Sequence, residues 1–266
     1  MSIVYGVLVV CGASLAAVLG LALVQRLVPA TIRKEHNDVA GFIYAALGVI
    51  YAVLLALVVI AVWEEAARAR VTAESEANAL AEIFWLAHGL PEHEGHHLQE
   101  ISRSYAEEVV EEEWPLMEQG RTPMMEHTRA TPHGWVLIDD IRATLQGYEP
   151  RTEAEQELYA EGLDQVQRLA DARRTRLVAA EESLPAVLWV VLVAGGMVTV
   201  GFTYLFGLEH TWAHRLMVAS LAGVIALVLF TIGVLDHPFS GGARIGTGAF
   251  ELVLNRFETS TLSDLR

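Results

Sequence analysis

Apolar and polar positions fall into long blocks along this chain. Four runs without a charged residue, 3–24, 41–63, 186–208 and 216–235, reach the roughly 20 residues with which an apolar helix crosses a bilayer. Between the second and third runs lies a polar stretch, 64–185, in which apolar residues recur at helical spacing. The pattern predicts an all-α membrane protein with four transmembrane helices. Two long helices extend from the membrane into a water-exposed helical domain. The predicted division is 1–63 for the first two spans and 64–185 for the acidic helical domain. The third and fourth spans follow in 186–235, and a turn, interfacial helix and tail in 236–266.

The stretch 41–89 organises this reading. It opens with 23 uncharged residues and continues into polar sequence with no proline to break it. One continuous helix of that length measures about 75 Å, against a hydrocarbon core of about 30 Å, so its second half stands in water. Its apolar half has two faces. Gly41, Ala45, Gly48, Ala52 and Ala56 form a row of small residues suited to close helix packing. Opposite them, Ile43, Leu47, Ile50, Leu54 and Leu57 form a row of large ones, a face that meets lipid, another helix or, as the candidate lining, a hydrophobic pore constriction. Trp63 stands at the expected interfacial level, and Glu64 and Glu65 follow at the candidate pore mouth.

The first run is read as a retained span. No basic residue precedes it, and it is longer than the apolar core of a signal peptide. Pro29 sets a turn after it, and Asn37 or Asp38 caps the second helix. In the polar stretch, Leu80, Ile83, Phe84 and Ala87 make one apolar stripe, and Leu98, Ile101, Tyr105 and Val109 a second. Glu111-Glu112-Glu113-Trp114-Pro115 ends the regular part of the second helix, and Thr131-Pro132 starts a third, with Trp135, Ile138, Ile141 and Leu145 inward. Thr152 and Glu155 have the spacing of a capping box. They open a helix predicted to run, kinked at Pro185, through the third span to residue 208. Phe250, Val253, Leu254 and Phe257 suggest a short helix lying on the membrane surface.

Charge sharpens the picture. Residues 64–185 carry 26 of the 33 acidic and 11 of the 18 basic residues, so the whole net charge of −15 sits there. No basic patch offers a nucleic-acid surface. Bases near span ends number six on the domain side (Arg68, Arg70, Arg173, Arg174, Arg176, Arg244) and four on the other (Arg26, Arg33, Lys34, Arg215). That bias predicts a cytoplasmic domain on a protein of the bacterial inner membrane.

Candidate chemistry is sparse. The chain has no phosphate loop, dinucleotide fingerprint, CxxC or HExxH, which argues against an enzyme, and no cofactor is expected. His93, His96 and His97, near His88, Glu92 and Glu94, have ligand types that suit zinc, nickel or copper. A solvated loop is the other reading of that cluster.

The segments HNDVAGFIYAALGVIYAVLLALVVIAVWE, EEEWPLM, SLPAVLW and LDHPFSG carry a resemblance. With them the chain resembles the bestrophin-like membrane family, over nearly its whole length. The resemblance implies a remote relation to bestrophins, pentameric chloride channels with four membrane helices per subunit. Their calcium-clasp and aromatic-neck motifs have no match here, so no site residue is carried over. The expectation is a homo-oligomeric channel for an inorganic ion in the lipid bilayer, cation-preferring because an acidic domain repels anions. The alternative is a non-conducting scaffold that binds a protein partner through the acidic domain.

Overall fold

The computed structural model describes residues 3–28, 37–121, 130–208, 210–242 and 244–264, all of them helix, turn or irregular backbone without a strand. In chain order the helices are α1 (Ile3–Leu27), α2 (Asn37–Leu86), α3 (Glu92–Glu108), α4 (Trp114–Glu118), α5 (Ala130–Gln146), α6 (Glu153–Glu181), α7 (Ala186–Thr203), α8 (Thr211–Leu235) and α9 (Gly248–Asp264). A π-helical segment, Val109–Glu113, joins α3 to α4. Four of the helices, α1, α2, α7 and α8, are long and apolar enough to cross a membrane. The Pro29 turn and the bases Arg33 and Lys34 lie outside the described residues.

The chain forms two compact units. One comprises Met1–Glu64, Ser183–Asp236 and Gly241–Ala243, the other Glu65–Glu182, His237–Ser240 and Arg244–Arg266. In the first, α8 runs antiparallel to α1. Phe230 lies against Gly6, and the Ser14 hydroxyl donates to the Ala219 carbonyl at 3.0 Å. The first half of α2 runs antiparallel to α7. Tyr51 donates to the Leu192 carbonyl at 2.8 Å, and its ring lies where a Cβ on Gly195 would stand. Asn37 does not cap its own helix from outside, since α2 already includes it. Its amide instead clasps the backbone of Gly207, donating to the carbonyl at 3.1 Å and accepting from the N–H at 3.0 Å.

The continuous second helix is present as 50 residues from Asn37 to Leu86. The second long rod is not. α6 stops at Glu181, residues 182–185 are non-helical, and α7 starts at Ala186. Pro185 has no N–H to give, and its ring drives Leu184 out of the helical region. Asp236 caps the break, its carboxylate accepting from the Leu184 N–H at 2.6 Å and from Trp189 Nε1 at 3.3 Å.

The second unit builds its core from Leu80, Ile83 and Phe84 of α2, Leu98 and Tyr105 of α3, Ile138 and Ile141 of α5, and Val166 and Leu169 of α6. The Thr152–Glu155 capping box forms as expected. The regular part of α3 ends at Glu108, just ahead of the block at 111–115, and the π turn carries the helical path on into α4. Gly120, at φ 70°, then ends α4. Its N–H donates to the Met117 carbonyl and that of Arg121 to Leu116, both at 3.0 Å, the paired bonds of a Schellman stop. The C-terminal helix corrects the reading of a membrane-surface segment. Phe250, Val253 and Phe257 of α9 are buried in this protein core, with Phe257 stacked on Phe84 at 3.8 Å between centroids. An amphipathic stripe specifies burial, and here a protein face satisfies it.

Candidate functional site

On the membrane half of α2, the face packed within the chain is neither of the two rows read from the sequence. It carries Tyr51, Val58 and Val62, which are buried, with Tyr44 and Leu55 half-buried. Tyr44 stacks on Phe202 and meets Phe206 edge-on. At about 100° per residue, this face lies roughly a quarter-turn from each row. Both rows are therefore left on the flanks. On the small row no described residue stands within 4 Å of a Cβ on Gly41 or Gly48, and Ala45, Ala52 and Ala56 are exposed. On the large row Ile43, Ile50 and Leu57 are exposed, Ile50 at 72%. Leu47 is half-buried, and Leu54 packs partly against the Val58–Leu192–Ile232 cluster. Glu64 is exposed and Glu65 half-buried.

The histidines do not lie in a loop. His93, His96 and His97 are exposed on the first turns of α3, with His96 3.6 Å from Glu100. A Cβ on Gly95 would stand 2.4 Å from the Ala87 carbonyl oxygen, so glycine is what lets α3 start against the preceding turn. Among the described residues no three His, Cys, Asp or Glu side chains converge as a metal site.

The second unit also holds a charge network. Glu76 of α2, Glu113 of the π turn and Arg173 and Arg176 of α6 are all fully buried. Arg176 donates to Glu76 from Nε at 2.6 Å and from Nη2 at 2.9 Å, and from Nη2 to Glu113 at 2.7 Å. Arg173 pairs with both oxygens of Glu113, one of them at 3.0 Å. Tyr105 donates to Glu76 at 2.6 Å. Trp114 stacks beside Arg176, and Trp135 beside Arg173. Two carboxylates thus balance two guanidiniums.

Burial alone lowers the Arg176 pKa, but the Glu76 and Glu113 carboxylates outweigh it and hold the group well above its ordinary value. Burial, then the Glu76 charge, push the Tyr105 phenol well up, so it stays a donor. At the edge, Glu108 Oε1 is buried with no hydrogen-bond partner among the described residues. Burial raises the Glu108 pKa, with His133 opposing.

This network was missed in the sequence, though a signal was there. Ala69, Ala73, Glu76, Leu80 and Ile83 keep one helical spacing, as do Val166, Leu169, Arg173 and Arg176. Charges at core positions are almost always paired. Glu113 could not be placed that way, because the π turn adds a residue and rotates Glu113 and Trp114 inward, leaving Glu111 and Glu112 exposed. Such insertions are frequent at functional sites.

No curated protein matches the chain. Among solved structures, two mutant forms of a bacterial bestrophin homologue from Klebsiella pneumoniae are similar. One has a TM-score of 0.69 at 13% identity, covering 95% of this chain and 98% of that one. The other has 0.66 at 13%, covering 97% of each. A further structure of that homologue gives 0.65 at 13%, covering 96% and 97%. Likeness at that identity shows a shared fold. The family model of the Bestrophin-like domain matches residues 11–250, and with four apolar helices of spanning length the chain is an integral membrane protein that belongs to the Bestrophin-like family.

Proposed function

We propose that this protein is a subunit of a homo-oligomeric ion channel in which α2 lines the pore. The observation that carries the reading is that α2 buries one face against its own chain and leaves open the small row and the Ile43, Ile50 and Leu57 part of the large row. Bestrophins are ion channels rather than enzymes, which supports the class of function. In a ring of copies, the small row of Gly41, Ala45, Gly48, Ala52 and Ala56 takes a neighbouring helix at close range. The exposed part of the large row, Ile43, Ile50 and Leu57, with Val53 and Ile60 beside it, forms a constriction that gates by dewetting. Leu47 and Leu54 back it. Glu64 and Glu65 stand at the mouth, and with the −15 charge of the chain they favour cations. The acidic domain faces the cytoplasm of a bacterial inner membrane.

Flux of the purified protein in liposomes tests this. Ile50→Ser should wet the constriction and raise leak, and Glu64→Gln with Glu65→Gln should shift the reversal potential away from cation preference. Chloride preference in the wild type, or currents unchanged in both variants, overturns the pore assignment. Silence across cations, anions and pH leaves the non-conducting scaffold as the better reading.

A further inference from the structure

We infer that the groove between α7 and the α1–α8 pair is a lipid site, holding one acyl chain of an anionic phospholipid with its headgroup at the Tyr204 end. The groove has a volume of about 410 Å³, within the range of ligand-sized sites, about 300–1,000 Å³. Its floor is Ala13 and Ala17 of α1 and Ala226 of α8, and its α7 wall includes Val193 and Met197. Among the described residues, no charged side chain and no residue of α2 lines it. α1 and α8 close tightly on each other at Gly6, Ser14 and Gly223, whereas nothing stands within 4 Å of a Cβ on Gly201 of α7. The space is therefore built by small residues that α7 does not fill.

Position identifies the occupant. From Val193 to Tyr204 the wall rises about 16 Å, half of the roughly 30 Å hydrocarbon core, which is the reach of one acyl chain in one leaflet. Interiors are close-packed, and at this depth only apolar matter is at hand to fill the space. The upper end is polar. The Tyr204 hydroxyl lies over Gly20 of α1, at the level where tyrosines mark the membrane interface. Level with that end of the helices, outside the groove lining, stand two exposed bases, Arg26 in the last turn of α1 and Arg215 in the first turns of α8. Asp38, the acid described there, lies on α2, which does not line the groove. Basic side chains at the membrane surface attract anionic headgroups. This inference rests on the membrane placement and is independent of conduction.

The test uses the purified full-length protein, delipidated and exposed to vesicles of phosphatidylglycerol or phosphatidylcholine, with retained lipid read by native mass spectrometry. The wild type should retain one phosphatidylglycerol per chain in preference to phosphatidylcholine. Gly201→Leu, whose Cβ has no described neighbour within 4 Å, should fill the groove and lower retention at least tenfold with the helix content unchanged. Arg26→Gln with Arg215→Gln should abolish the headgroup preference. In otherwise wild-type protein, a photo-crosslinker at position 197 should capture phospholipid. Failure of the wild type to retain lipid, retention unaffected by Gly201→Leu, an unchanged preference in the double variant, or capture of a second protein chain at position 197 overturns the inference.

Discussion

Arg176 makes the sharpest test of what holds the second unit together. Its guanidinium donates three hydrogen bonds to two fully buried carboxylates and lies beside Trp114. Arg176→Met keeps much of the volume and removes the charge. Among the described residues, Glu76 then keeps Tyr105 and Glu113 keeps Arg173. Removing one member of a buried ion pair typically costs about 3–5 kcal/mol, because the remaining charge cannot reach water. For a chain of this size that is a fall in melting temperature of about 6–20 °C. Glu76→Leu should cost a similar amount for the mirror reason. The double variant should cost less than either single one, since it removes both charges and leaves the Arg173–Glu113 pair intact. Thermal unfolding in detergent, followed by circular dichroism, reads all four proteins of the cycle. Singles within about 0.5 kcal/mol of wild type, or a double variant as costly as the sum of both, would refute the reasoning.

Other expectations follow from single positions. Glu108 carries a raised pKa, so its folded form binds the proton more tightly than the unfolded chain. It adds stability fully below the ordinary glutamate range, about pH 4, and that contribution is lost as pH rises through the folded value. Glu108→Gln should therefore equal or exceed wild type at pH 7, an advantage that disappears on titration to pH 4 as followed by unfolding in urea. Gly48→Leu should leave the fold of a single chain intact, because a Cβ there has no described neighbour within 4 Å, yet impair assembly by size-exclusion chromatography with light scattering. A normal oligomer in that variant would remove the small row from the interface. Gly95→Ala drives its Cβ into the Ala87 carbonyl and should cost about 1–3 kcal/mol, read as a lowered melting temperature.

Reading the sequence alone worked where the physics is local. Four apolar runs of spanning length can do little else in water than leave it. A stretch free of proline with helical apolar spacing continues as one helix, as Asn37–Leu86 does. The Thr152–Glu155 box needs only residues three apart. The small and large rows of α2 were also legible as faces. Which face turns toward the rest of the chain was not, because that depends on the aromatic fit of Tyr44 and Tyr51 to α7.

Tertiary structure decided the remainder, each time because a partner distant in sequence sets the outcome. Glu76 sits in an apolar stripe, and only the approach of Arg176, 100 residues away, makes a carboxylate tolerable there. The stripe of α9 would suit a membrane surface or a protein core equally well, and Phe84 gives it the core. Proline at 185 foretold a disturbance, but a full break required Asp236 to satisfy the freed Leu184 N–H. Periodicity along a chain records how much of each face must leave water. It does not record what covers that face, because the covering atoms are brought there only by the fold.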